Sequence, residues 1–186
     1  MQYNRLKAAW VWLTRMKHCR GFGIQSPWAY RFVRYVVNEH APYYAYKRLK
    51  DKKPSDWLTT KRGRLLLRLA NYWQPEEVYG PPLGEALVKD YLLAGCRKAT
   101  FRNNMTGKPT GRWMAIVKTD DYELLASYAD EQAMMVLADI GSSKEGKRLW
   151  RHIVDDPRAT ATFDLYWCGI ALFDPKRIKQ NYIVNF

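Results

Sequence analysis

Apolar residues at the start of the chain recur at the spacing of a helix face. Leu6, Trp10, Leu13 and Lys17 share one face, with Arg5, Lys7 and Arg15 elsewhere around the wheel, so the spacing predicts an amphipathic helix over about 3–17. Arg20-Gly21-Phe22-Gly23-Ile24-Gln25 reads as a glycine-punctuated turn. Ser26 then offers a capping oxygen and Pro27 a first helical position that needs no N–H donor. Trp28, Phe32, Val33, Val36 and Val37 form the apolar face of this second helix, which should end near 38–42. Tyr43 to Lys53 reads as an aromatic and basic connector. A third helix follows, carrying Leu58, Leu65, Leu66, Leu69 and Tyr72 and stopping at Gln74-Pro75.

Beyond Pro75 the pattern changes to short apolar runs separated by helical stretches, as in an α/β unit with a mostly parallel sheet. The predicted strands are Glu77–Tyr79, Ala99–Phe101, Trp113–Val117 and Met134–Ala138, with helices over 83–94, 121–130 and 143–154. Three further β-rich runs, 159–166, 169–173 and 182–184, have no room for crossover helices between them and are expected to pair antiparallel through tight turns. The predicted organisation is a helical extension over 1–73 followed by an α/β domain over 74–186.

Charge adds an asymmetry. The 186 residues carry a net +13; residues 1–70 hold 16 Lys and Arg against 3 Asp and Glu, whereas 71–186 hold 15 of each. A basic segment of this kind points to a polyanion partner, either nucleic acid or an anionic surface, or to a solvated face that keeps the chain soluble. Trp10, Trp12, Trp28, Tyr43, Tyr44, Tyr46 and Trp57 interleave with those cations, a mixture that stacks bases and neutralises phosphates, or that packs the extension as core. No apolar run reaches the roughly 18 residues of a spanning helix, and no signal-peptide pattern follows Met1, so the cytoplasm is the expected compartment. Cys19, Cys96 and Cys168 lack metal or disulfide spacing and are expected as thiols. His18, His40 and His152 are scattered, so no metal site or catalytic residue is assigned.

Four segments stand out when taken in order: Gly21-Phe22-Gly23-Ile24-Gln25-Ser26-Pro27-Trp28, Tyr43-Tyr44-Ala45-Tyr46, the stretch from Asp139-Ile140-Gly141-Ser142-Ser143-Lys144-Glu145 to Trp150, and Asp164-Leu165-Tyr166-Trp167-Cys168-Gly169-Ile170. Together they resemble the class I S-adenosylmethionine (SAM)-dependent methyltransferase-like proteins of Bacteroidetes-type bacteria. The resemblance implies a Rossmann-like sheet with antiparallel C-terminal strands. It also implies a site for SAM or S-adenosylhomocysteine, for which the matching positions are Gly80, Leu83, Gly84, Asn103, Asp120 and Asp139.

The chain departs from that family where the cofactor would lie. Val78 stands at the position of a carboxylate, Pro81 and Pro82 remove donors from the glycine turn, and Arg102 stands where an acidic residue accepts hydrogen bonds from the ribose. Between Phe101 and Trp113 lie only residues 102–112, too few for the helix, strand and helix the family places there. Asp120-Asp121 lacks the family's following glycine and histidine and also suits a helix N-terminus. Asp139 lies where ligands bind in open α/β sheets, and a helix cap explains it as well. The reading is a degenerate methyltransferase-like protein, with weak or no SAM binding, kept as a binding or structural module. The alternatives are an active SAM-dependent methyltransferase on an unknown acceptor and a nucleic-acid or anionic-surface binder. Oligomeric state is left open between a monomer and a homo-oligomer.

Overall fold

The computed structural model describes residues 5–52, 56–80, 86–103, 105–117, 121–138, 140–141 and 143–186. The chain divides into two compact units, one of Met1–Tyr72, Glu85–Arg97 and Val184–Phe186, the other of Trp73–Gly84 and Lys98–Ile183.

The first unit is helical. Helix α1 (Arg5–Thr14) ends in a 3-10 turn, Met16–His18. Helix α2 (Pro27–Phe32) begins where expected, with the Ser26 side chain accepting from the Ala29 N–H, and continues as a π-helical stretch, Val33–Val37. The carbonyls left open at the end of that stretch are taken by Arg68. Its guanidinium donates to Val36 O and Val37 O, both at 2.7 Å, and to the Tyr46 hydroxyl at 3.1 Å. Helix α4 (Trp57–Trp73) supplies Arg68 together with the buried Leu65, Leu67 and Leu69.

Residues 43–53, expected as a connector, instead contain helix α3 (Tyr44–Lys52). Ala45 and Leu49 stand one turn apart, and buried Leu49 packs with Leu67 of α4 and with Leu87 and Tyr91 of helix α5 (Ala86–Gly95). The segment's lysines and arginines are good helix formers, and these apolar partners lie far away in sequence. The end of the chain is tied into the same unit. Asn185 N–H donates to His18 O and its side chain to Trp12 O, both at 3.0 Å.

The second unit is mixed α/β, built on a seven-stranded sheet in the order β2-β1-β3-β4-β6-β5-β7. The strands are β1 (Glu77–Tyr79), β2 (Thr100–Arg102), β3 (Trp113–Val117), β4 (Ala133–Ala138), β5 (Ala161–Asp164), β6 (Cys168–Leu172) and β7 (Gln180–Ile183). Strands β2, β1, β3 and β4 are mutually parallel, and β6 runs antiparallel to both β4 and β5. Trp113, Ala115 and Val117 project to one face of β3 and Met114 to the other; all four are buried, as a parallel sheet requires. On the first face, Tyr79, Met135 and Ala171 form a core with Tyr122 and Leu125 of helix α6 (Tyr122–Ser127) and Trp150 and Ile153 of helix α7 (Lys144–Asp155). A Cβ on Gly169 would lie 2.3 Å from the Trp150 ring, so this strand position must be glycine for α7 to seat on the sheet.

The expected β6–β7 hairpin is not formed. Strand β7 pairs instead in parallel with β5, as Ala161↔Gln180 through Asp164↔Ile183. Both edges of β6 are already occupied, by β4 and β5. The chain from Phe173 to Lys179 therefore steps past β5, about 10 Å at normal strand spacing, to the free outer edge. Between β2 and β3 the described residues form neither helix nor strand, and Met105 packs against the core from this stretch. Among the described residues no helix is long and apolar enough to cross a membrane.

Candidate functional site

Among the described residues, two places stand out as candidate ligand sites. The first is the carboxyl edge of the parallel strands. From β1 the chain moves outward to β2 and then returns across β1 to β3, so the strand order reverses beside β1, where open α/β sheets bind ligands. Gly80 and Asn103 meet at this edge. Gly80 directly follows β1 and its N–H donates to Arg102 O at 3.3 Å, while exposed Asn103 directly follows β2. Leu83, Gly84, Asp120 and Asp139, the other positions expected to hold a cofactor, lie outside the described residues, as does the Pro81-Pro82 pair.

The open side of Gly80 is already filled. A Cβ there would lie 3.0 Å from the Phe101 ring, so the missing side chain accommodates this phenylalanine. At the end of β2 the Arg102 Nε donates to Glu77 Oε1 at 2.8 Å, and Glu77 also accepts the hydroxyl of Tyr79. The Tyr79 bond, together with Arg102, holds the Glu77 carboxyl below its ordinary value. Burial, then Glu77, pushes the Tyr79 phenol up to about 12. Arg102 is thus paired with Glu77, and its guanidinium offers donors but no acceptor to a sugar hydroxyl.

Asp121 lies immediately before α6, and its side chain makes no capping hydrogen bond. The cap of α7 is Ser143, whose hydroxyl accepts from Gly146 N–H at 2.8 Å. Behind these helices lies a polar network that sequence reading did not anticipate. Buried Asp156 accepts from the Tyr122 hydroxyl at 2.7 Å and from Arg158, whose Nη2 reaches it at 2.6 Å; Arg158 also pairs with Glu123, which contacts His152 at 2.5 Å. Burial alone would raise the Asp156 carboxyl. The Arg158 and Tyr122 hydrogen bonds outweigh it and bring the value down to about 2. The network fastens α6 to the end of α7. Cys96 and Cys168 are buried thiols, Cys19 is half-buried, and the described residues contain no metal-binding cluster.

The second place is a cavity of about 840 Å³ within the helical unit. Arg20, Lys47, Lys61, Arg64 and Arg68 line it, with Glu39 as the one acidic side chain among the lining residues described. Trp12, Tyr43, Tyr46, Trp57 and Phe186 add aromatic walls. Of the aromatic residues singled out in the sequence, Trp12, Tyr43, Tyr46 and Trp57 therefore share one cavity, whereas Trp28 stacks on Phe32 at 5.7 Å. Lys61 Nζ lies 4.6 Å from the Trp57 ring and 4.4 Å from that of Phe186, and the Arg64 guanidinium lies 4.8 Å from Tyr46. Tyr43 donates to Glu39 at 2.7 Å; its phenol is pushed to about 12 by burial and then by Glu39. A smaller concavity of about 380 Å³ on the α/β unit is lined by Lys144, Lys147, Arg148 and Arg151, which fall on one face of α7. The chain matches no family model and no curated protein.

Proposed function

We propose that the chain is a methyltransferase-like protein with a reduced Rossmann-like sheet, in which efficient SAM binding has been lost and which serves as a binding or structural module. Its parallel strands run β2-β1-β3-β4, the Rossmann order with the outermost strand removed. The missing strand falls between β2 and β3, where the connection is too short for a strand and its helices. The observation that carries the reading is the end of β2. Arg102 is locked to Glu77 where a ribose acceptor is needed, beside a Gly80 whose open side is filled by Phe101. A guanidinium has donors only, so the side chain at this position offers the hydroxyl pair of a nucleoside no acceptor.

Calorimetry of the full chain with SAM and with S-adenosylhomocysteine tests this. The expected result is no saturable heat at micromolar ligand; dissociation constants in the low micromolar range would overturn it. The basic cavity of the helical unit favours a second reading, compatible with the first, in which the module's ligand is anionic. Five lining basic side chains face a single acidic one. Affinity for a polyanion should then fall steeply with salt through counterion release.

A further inference from the structure

We infer that the cavity of the helical unit binds a short segment of single-stranded nucleic acid, with phosphates on its cations and a base against its exposed tryptophans. The inference rests on the anionic-ligand reading of this unit and not on the fate of the SAM crevice.

Three observations converge. The first is an excess of donors. Among the described residues, none of Arg20, Lys47, Arg64 and Arg68 has a carboxylate within ion-pair distance. Arg68 is buried, and among the described residues its guanidinium donates to two carbonyls and a tyrosine hydroxyl. The second is two orphaned donors in the cavity lining, Asn38 Nδ2 and Arg64 Nε, both shielded from solvent and without a hydrogen-bond acceptor among the described residues. Native proteins rarely leave such groups unmet, and a ligand's acceptor oxygens meet them once the side chains that cover them shift. The third is the aromatic surface. Trp12 and Trp57 are about half exposed at the cavity, at 51% and 47%.

These features together choose the ligand. A bare phosphate would use the cations but not the half-exposed indole surface of Trp12 and Trp57. A duplex or a lipid bilayer presents a broad surface that cannot enter a concavity of this size, whereas an unpaired strand can thread phosphates and splay a base into it. The net charge of the lining also exceeds what one nucleoside monophosphate would neutralise.

The test is fluorescence anisotropy of the full chain with labelled twelve-nucleotide single strands of RNA and of DNA, titrated over a range of salt. Competitors are a hairpin duplex, phosphatidylglycerol vesicles, uridine monophosphate and inorganic phosphate. Strands should bind more tightly than every competitor. Lys47→Ala with Lys61→Ala should weaken binding and flatten the slope of log affinity against log salt by about 1.4, at about 0.7 per lost phosphate contact. Trp57→Ala should weaken it about tenfold, and Trp57→Phe should recover most of the loss. Lys7→Ala with Arg31→Ala removes the same charge from the basic segment outside the cavity and should leave the salt slope within experimental error. Thermal melts by circular dichroism accompany each variant, so that loss of fold is not read as loss of contact.

Equal losses in the Lys7/Arg31 pair and the Lys47/Lys61 pair would overturn the cavity as the site. Tighter binding of the duplex or the vesicles would overturn the strand as its ligand, as would displacement by equimolar uridine monophosphate or inorganic phosphate. Absence of binding to every polyanion at low salt would remove the anionic-ligand reading as well. The calorimetry with SAM would stand independently of all these outcomes.

Discussion

Replacing Asp156 by Asn removes one charge from a buried site while keeping its shape. The side chain ends α7, is almost fully buried, and accepts from Tyr122, from the Arg158 guanidinium and from the Arg158 backbone N–H at 2.8 Å. Holding its carboxyl near 2, against an ordinary 3.8, means the native state favours the ionised form. That preference contributes about 2–3 kcal/mol of stability at neutral pH. The sign follows from the depressed value. The contribution is fully present above about pH 4 and is lost as the pH falls through 2, because the unfolded chain takes up the proton first. Asp156→Asn should therefore be less stable than the parent by about 2–3 kcal/mol at pH 7, a fall in melting temperature of about 4–12 °C for a chain of this size. Urea unfolding followed by tryptophan fluorescence at several pH values between 7 and 2.5 measures the gap. It should close as the pH falls below 4. A gap that stays constant down to pH 2.5, or a variant as stable as the parent at pH 7, would refute the assignment of the network as a stabilising ion pair.

Two further perturbations probe the packing on each unit. Gly169→Ala drives a methyl group to 2.3 Å from the Trp150 ring and should destabilise the α/β unit by about 1–3 kcal/mol, with Trp150→Leu recovering part of the loss; thermal melts of the single and double variants decide it. Arg68→Met keeps the aliphatic stem but strips two donors from the Val36 and Val37 carbonyls. It should cost about 2–4 kcal/mol in urea unfolding, and a change below 0.5 kcal/mol would show that water replaces the guanidinium freely.

Local signals carried far along this chain. The Ser26-Pro27 start, the stop of α4 before Pro75 and the strands Glu77–Tyr79 and Trp113–Val117 were legible because capping chemistry, proline geometry and short apolar runs act over a few residues. The short link between β2 and β3 was legible as well, since chain length bounds what a segment can hold. Helix α3 was not. Its helicity depends on Leu49 reaching Leu67, Leu87 and Tyr91, partners that only the folded chain brings near. The same holds for β7, whose place beside β5 was decided by which sheet edge was still open.

Of the proposed cofactor positions, the strand ends brought Gly80 and Asn103 together, because parallel strands align their carboxyl ends. The sequence alone determined the number and type of most elements and the basic character of the first seventy residues. Tertiary structure alone decided that Arg20, Lys47, Arg64 and Trp57 face one cavity, and that Glu77 claims Arg102. Periodicity states which way a side chain points from its own helix or strand. Which charges converge depends on how those elements pack, and burial of apolar surface between residues distant in sequence sets that packing.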